Sequence, residues 1–347
     1  MARLVLENIH KSFHGEPVVK GLNLTIEPGE FVALLGPSGC GKSTILRMLA
    51  GFEPVSDGQI THGEICLSSN KHHVATEDRN FGMVFQSYAL WPHMSVKDNV
   101  GYPLKVQKID TNERNRRIQE ALEIVQLEEY ADRLPAQLSG GQRQRVALAR
   151  SLVTEPDVVL FDEPLANLDR HLRAKMEETF RAFHKRTGAT IVYVTHDQSE
   201  AMSLADRIAV LNKGELVQWG TPQALYATPK NTWLANFIGR GSVLAVNEIS
   251  PQQYVNSKDL HGLIEKHSPE QVCSSVLVRP QDISFVSIGD LSIPVTVDNC
   301  IFRGERYDIE LTLEDGQQLL TYSDVPMTIN SQHLVRLEQA WSLESES

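Results

Sequence analysis

"FVALLGPSGCGKST" (31–44) runs an apolar stretch of strand length into a glycine-rich loop and then into a helix-forming segment. Gly36 to Ser43 satisfies G-x-x-x-x-G-K-[ST] and lies between a strand and a helix, as the mechanism of that motif demands. Small residues at Gly36, Ser38, Gly39, Cys40 and Gly41 let successive backbone N–H groups turn inward and form a nest for phosphate oxygens. The helix that follows adds the partial positive charge of its N-terminus. Lys42 is placed to reach the β- and γ-phosphates, and Ser43, with Thr44 beside it, to ligate Mg²⁺. Cys40 fills a variable slot as a small side chain. The stretch predicts an α/β domain that binds ATP or GTP.

A second run supplies acid. "VVLFDEP" (158–164) ends a buried-strand pattern in two carboxylates. Asp162 can support Mg²⁺ through water, and Glu163 can orient or deprotonate an attacking water. "NKGE" (212–215) resembles a guanine-reading motif but ends in Glu between two short strands, so it reads as a hairpin turn and ATP is the expected nucleotide.

Bulk properties bound the rest. The chain has 347 residues, 41% hydrophobic and 22% charged, which predicts about two globular domains. No apolar run approaches the roughly 20 residues that span a bilayer, and the N-terminus alternates like a strand rather than a secretory signal. Cys40, Cys66, Cys273 and Cys300 form no close pair, which predicts neither a zinc knuckle nor a disulfide framework and fits a cytoplasmic setting. Residues 241–347 hold 16 Asp/Glu and 6 Lys/Arg, a net of −10 out of −11 for the whole chain. That asymmetry supports a boundary near 240 and argues against nucleic-acid binding by the tail.

Up to about 235, strand-like and helix-like stretches mix. A polar helix is expected over 112–127, with Ile118, Ala121, Leu122 and Val125 on one face and Thr111 as its N-cap. Beyond 240, short alternating segments such as "IPVTVDNCI" (293–301) and "YDIELTL" (307–313) predict a small all-β barrel or sandwich.

Six motifs together resemble the ATP-binding subunit of an ABC transporter. "GPSGCGKST" matches the Walker A loop, and "VFQSYALWPHMSV" (84–96) resembles the Q-loop. "LSGGQ" (138–142) matches the ABC signature and "VVLFDEP" the Walker B strand. "ANLD" (166–169) resembles the D-loop, with Ala166 in place of the commoner serine, and "VTHD" (194–197) the switch-histidine loop. The resemblance implies roles for further residues: Gln86 at Mg²⁺ and the attacking water, His196 at the γ-phosphate, Phe13 stacked on adenine, and Asp169 as the charged D-loop residue. It also implies a P-loop ABC ATPase domain over 1–238, with a C-terminal OB-like domain of the TOBE/MOP type over 239–347 for regulation or dimerisation. "VRPQDI" (278–283) resembles the V-R-P-E segment of maltose-, polyamine- and ferric-ion-type importer ATPases, with Gln281 replacing the acid.

One active site needs one phosphate loop, so the second glycine pair is redundant within its own subunit. It makes sense if Ser139, Gly140, Gly141 and Gln142 close over the γ-phosphate held by another copy, giving a head-to-tail homodimer around two ATP/Mg. The resemblance further implies permease subunits gripped by the Q-loop region, indirectly a substrate-binding protein, and a peripheral place on the cytoplasmic face of a bacterial inner membrane. Among cargoes, the Q-loop run most resembles the ferric-ion-type branch, leaving sugars, polyamines, thiamine and phosphonates open. A soluble ABC ATPase acting on DNA or ribosomes is disfavoured, because the chain shows neither a sustained heptad run between 45 and 137 nor a second cassette. The histidines of "THGE…NKHH" (His62, His72, His73) read as part of a solvated hairpin rather than a metal site.

Overall fold

The computed structural model describes residues 2–166, 168–265, 274–287 and 291–344; Asn167 and Cys273 lie outside them. The chain divides into two compact units, Met1–Pro222 and Gln223–Ser347.

The first unit contains β1 (Leu4–Phe13), β2 (Glu16–Ile26), β3 (Phe31–Leu35), β4 (Asp57–His62), β5 (Ile65–Ser69), β6 (Phe81–Val84), β7 (Val158–Asp162), β8 (Thr190–Thr195), β9 (Arg207–Asn212) and β10 (Glu215–Gly220). Its helices are α1 (Lys42–Ala50), α2 (Val96–Val106), α3 (Thr111–Ile124), α4 (Gly140–Leu152), α5 (Arg170–Thr187) and α6 (Gln198–Leu204). One sheet, ordered β2-β1-β4-β5, is antiparallel. The other, ordered β10-β9-β3-β8-β7-β6, is parallel apart from the edge strand β10. β3 and β8 are buried along their whole length, which is why they read as unbroken apolar runs. Alternate residues of β8 serve two cores. Ile191 and Tyr193 pack with Phe161, Phe180 and Leu148, whereas Val192 and Val194 pack with Leu46, Leu49 and Ile26.

Register decides where the chemistry lies. Leu35 pairs with Thr195, Asp162 with Val194, and Val84 with Phe161. The residues that follow β3, β6, β7 and β8 therefore leave the sheet at one carboxyl-end edge, where open α/β sheets place ligands.

Local readings need some adjustment. The N-cap of α3 is Asp110, not Thr111, because its carboxylate accepts from the Asn112 N–H at 2.9 Å. The helix stops at Ile124 rather than 127, since Gln126 takes a left-handed φ of 57° and Leu127 N–H donates back to Leu122 at 2.9 Å. "NKG" is the expected hairpin turn: Asn212 pairs with Glu215, and Lys213 and Gly214 both have positive φ (48° and 87°). The histidine-bearing segment does form the β4–β5 hairpin, but His73 is tied down, its ring nitrogens lying 3.0 Å from the Gly51 carbonyl and 3.3 Å from Ser68 Oγ. Among the described residues no group of three His, Cys, Asp or Glu could hold a metal.

A buried arginine closes the far end of α1. Arg79, 4% exposed, donates through Nη1 to the Met48 and Leu49 carbonyls at 2.7 Å, through Nη2 to Leu67 at 2.9 Å and through Nε to Val74 at 3.0 Å. It thus satisfies orphan carbonyls of the helix whose N-terminus follows the glycine loop. Burial lowers its pKa to about 10, still far above neutral pH. Arg79→Met should cost about 3 kcal/mol or more in chemical unfolding of the full chain, since several buried carbonyls lose their donor.

The second unit starts within α7 (Pro222–Ala227) and continues through α8 (Thr232–Phe237), β11 (Ser242–Val246), β12 (Tyr254–Asn256), α9 (Ser257–Glu265), β13 (Ser274–Val278), β14 (Ile283–Val286), β15 (Ile293–Phe302), β16 (Tyr307–Leu313), β17 (Gln318–Ser323), β18 (Gln332–Leu337) and β19 (Gln339–Leu343). Two antiparallel sheets, β11-β13-β19-β12 and β14-β18-β15-β16-β17, share one core in which Val246, Val276 and Val278 meet Val297, Ile309, Leu311 and Val335. Helix α9 is an addition to the all-β expectation, and Leu260 on it joins this core. Residues 223–238, which the sequence reading placed with the first domain, fall in the second unit. There Trp341 Nε1 donates to the Pro229 carbonyl at 2.9 Å, and Asn231 bridges to Glu344.

Candidate functional site

β3 delivers the chain into the glycine loop. A Cβ on Gly36 would lie 2.2 Å from the Leu211 carbonyl oxygen, so only glycine lets the loop pass this close to β9. Gly41, at φ 101°, is the N-cap of α1. Ser38 and Gly39 are exposed at the loop's crest, with nothing within 4 Å of a Cβ built on Gly39, so the nest is open to a ligand. Cys40 is buried, and burial pushes its thiol up, which suits a small packing side chain rather than a reactive thiol. Lys42, 5% exposed, folds over the loop and donates to the Gly36 and Pro37 carbonyls at 2.7 and 2.9 Å.

Ser43 and Asp162 are brought together, with Ser43 Oγ donating to Asp162 Oδ1 at 3.2 Å. Burial pushes Asp162 up, and the Ser43 hydrogen bond works against that shift. Two oxygen donors beside an open phosphate nest suit Mg²⁺, which takes one or two protein oxygens and completes its octahedron with phosphate and water. Thr44 is the next residue of α1 and is half-buried.

Glu163 and His196 form the second pair, with His196 Nδ1 lying 3.2 Å from Glu163 Oε2. Glu163 has a left-handed φ of 44°, unusual for glutamate, and its N–H is fixed to the Val194 carbonyl at 3.1 Å. His196 is exposed. Its loop is anchored by its own Asp197 together with Arg173 and Glu200, which the sequence did not single out. Asp197 caps α6 and pairs with Arg173 of α5 at 2.8 Å, and buried Glu200 accepts from Tyr193 and Thr195 at 2.8 and 2.7 Å. Asp169 is the N-cap of α5, accepting from His171 and Leu172 at 3.0 Å; the Leu172 and His171 bonds hold its carboxyl below the usual range.

Gln86 is exposed just beyond β6, at the same sheet edge as Glu163. The loop after it is held from α4. Arg150 donates to the Tyr88 and Ala89 carbonyls at 2.9 and 2.6 Å and stacks over Trp91 at 5.0 Å. Both clamped residues have left-handed φ, 62° and 48°. Tyr88 packs on the core, whereas Trp91, against Tyr102 at 4.4 Å, lines a groove of about 530 Å³ with Phe85, Ala89, Pro103 and Arg150.

The signature segment starts α4. Ser139 and Gln142 form a capping box: Ser139 Oγ accepts from the Gln142 N–H at 3.3 Å and Gln142 Oε1 from the Ser139 N–H at 2.8 Å. Gly141 has a packing reason, since a Cβ there would sit 2.6 Å from Leu172 Cδ1; Gly140 has only Leu168 within 4 Å. No hydrogen bond or ion pair among the described residues joins Ser139–Gln142 to the glycine loop. Phe13, 38% exposed, ends β1 with Lys11 Nζ 4.8 Å from its ring; β2, across the hairpin, sets the Val18 carbonyl 3.0 Å from a Cβ on Gly41.

The ABC transporter family model matches residues 19–166 and the TOBE domain model residues 276–335. The chain is 44% identical to the Fe(3+) ions import ATP-binding protein FbpC of Escherichia coli O157:H7, over 91% of this chain and 88% of that one. It is 50% identical to the sn-glycerol-3-phosphate import ATP-binding protein UgpC 2 of Agrobacterium fabrum, over 86% and 80%. Among solved structures, the dimeric post-hydrolysis state of the ATP-binding cassette MJ0796 bound to ADP and Pi aligns at TM-score 0.55 and 33% identity, over 63% of this chain and 98% of that one. No helix among the described residues is long and apolar enough to cross a membrane. Near-full-length identity at this level, together with a TOBE domain behind the cassette, makes this chain an ATP-binding subunit of the ABC importer type, an ATPase coupled to transport.

Proposed function

We propose that the chain works as a head-to-tail homodimer on the cytoplasmic face of a bacterial inner membrane, hydrolysing ATP to drive permease subunits that import a small solute handed over by a binding protein. The observation that carries this reading is the division of the site. Lys42, Ser43, Asp162, Glu163 and His196 gather at one sheet edge, while Ser139–Gly141 make no bond to the glycine loop of their own chain. A second copy supplies the missing wall, and the dimeric state of the MJ0796 cassette supports that assembly.

In this reading Lys42 and the loop N–H groups hold the β- and γ-phosphates, Phe13 stacks on adenine, and Ser43, with Asp162 through water and Gln86, holds Mg²⁺. Bound Mg²⁺ would neutralise charge on the phosphates. Glu163 accepts a proton from the attacking water, and His196 keeps the carboxylate aimed while facing the γ-phosphate. Asp169 caps α5 beside the partner's site.

The groove beside Trp91 receives a permease helix, and Arg150 connects that groove to the signature helix. Arg150→Met should lower kcat about tenfold while leaving the KM for ATP within about twofold, with partial recovery in Arg150→Lys. Steady-state ATPase assays on the assembled transporter read both values.

Iron(III) is the cargo we assign, from the Q-loop resemblance. The second reading is sn-glycerol-3-phosphate, favoured by the 50% identity to UgpC 2. Deleting the gene and measuring uptake of labelled iron(III) and sn-glycerol-3-phosphate separates them. Loss of iron uptake alone supports the first, and unchanged uptake of iron with loss of the phosphate ester overturns it.

A further inference from the structure

Residues 241–347 carry 16 acidic and 6 basic side chains, yet positive charge collects at one point of the second unit. Asp308 on β16 is 2% exposed and is ringed by Arg240, which precedes β11, and by Arg303 and Arg306 from the β15–β16 turn. Arg240 and Arg303 both bond to Oδ2, the latter at 2.9 Å. Arg306 Nε stands 3.7 Å from Oδ1, too far for a hydrogen bond, and Oδ1 has no partner. Burial pushes Asp308 up, but the bonds from Arg303 and Arg240 outweigh it and hold the carboxyl below its usual range.

One carboxylate thus answers three guanidiniums, and two positive charges are left over. Glu305, in the same turn, forms no ion pair with any of them among the described residues. Gathering like charges is unfavourable, and Asp308 offsets only part of that cost. The side chains are also held in place. Arg306 lies 3.5 Å from the Tyr322 ring centroid, and the turn is closed by Arg303 N–H donating to the Arg306 carbonyl at 2.8 Å. All three are about half exposed, at 50%, 50% and 46% of their side chains. Each guanidinium has five N–H donors in a fixed fork. Arg240 and Arg303 each direct one to Asp308 and Arg306 directs none to it; the half-exposed side chains leave donors for an acceptor from outside the chain.

We propose that Arg240, Arg303 and Arg306 form a binding site for a phosphate-class dianion, either free phosphate or a phosphate monoester. Two surplus charges match a dianion, and forked donors match its tetrahedral oxygens. Asp308 is the buried anchor that assembles the three. The site belongs to the second unit and does not depend on the cargo or the nucleotide-site roles.

Calorimetric titration of the full chain, at fixed ionic strength and saturated with MgADP, tests it with inorganic phosphate and then glycerol phosphate. Arg303→Gln/Arg306→Gln should weaken the binding at least about tenfold. Asp308→Asn should tighten it several-fold by removing the opposing charge. If Asp308→Asn does not fold, the surface double variant alone decides. Binding of either probe that the double variant loses supports the site, and the tighter of the two names the ligand form. Isotherms identical in parent and double variant, or no binding of either probe, overturn the proposal.

Discussion

Glu163→Gln is expected to bind ATP as tightly as the parent and to lose turnover by about 10²–10⁴-fold, the usual contribution of a positioned general base. The substitution is nearly isosteric. The strained backbone at φ 44°, the N–H bond to Val194 and an amide oxygen facing His196 Nδ1 can all persist. What disappears is the carboxylate able to take a proton from water. An intact phosphate site without a base should trap the chain as an ATP-bound dimer, visible as a doubled mass in size-exclusion chromatography with ATP. Normal turnover in this variant would remove Glu163 from the role and leave water activation to another group.

Lys42→Ala should weaken ATP binding by about 100-fold or more, from the loss of charge-assisted contacts of about 1.5–3 kcal/mol each. Lys42 is already held over the loop by the Gly36 and Pro37 carbonyls, so few degrees of freedom remain to be fixed when phosphate arrives. Ser139→Ala should leave binding to the isolated chain unchanged and abolish hydrolysis. Mixing the two inactive variants is the sharper experiment. Half of randomly paired dimers are heterodimers, and each contains one site with both Lys42 and Ser139. Recovered activity of up to about a quarter of the parent is therefore expected from a symmetric head-to-tail pair. A mixture no more active than its components would rule out a site built from two chains.

Contiguous chemistry was legible in the sequence. The glycine loop, the Asp162–Glu163 pair and "VTHD" each place their groups within a few residues, and the sheet register brings them to one edge. What escaped was support supplied to backbone carbonyls far along the chain. Arg150 reaches Tyr88 and Ala89, and Arg79 reaches Met48 and Leu49; no local spacing marks an arginine that serves distant main chain. Arg173 was missed because its carboxylate partner Asp197 lies 24 residues on, and Glu200 because its bonds to Tyr193 and Thr195 form only once α6 folds back beside β8. Thr111 missed the cap by one residue, because the preceding Asp110 is an equally good capping side chain. Gly141 was read for its N–H alone, while it also lies against Leu172 of α5, whose Cδ1 would have to shift to admit a side chain there.

The capping box at the start of α4 bears on how the proposed two-chain site would be loaded. A serine hydroxyl has two lone pairs and a single proton. Ser139 commits a lone pair to the Gln142 N–H, so its proton is the part left to meet an incoming oxygen. In the proposed head-to-tail pair, holding the helix and meeting the neighbour's phosphate would fall to opposite sides of one oxygen atom, and neither task need be abandoned for the other. Ser139→Asp separates them: it keeps a good cap and presents negative charge where the proton stood. A chain carrying it should unfold like the parent and yet refuse to pair around ATP.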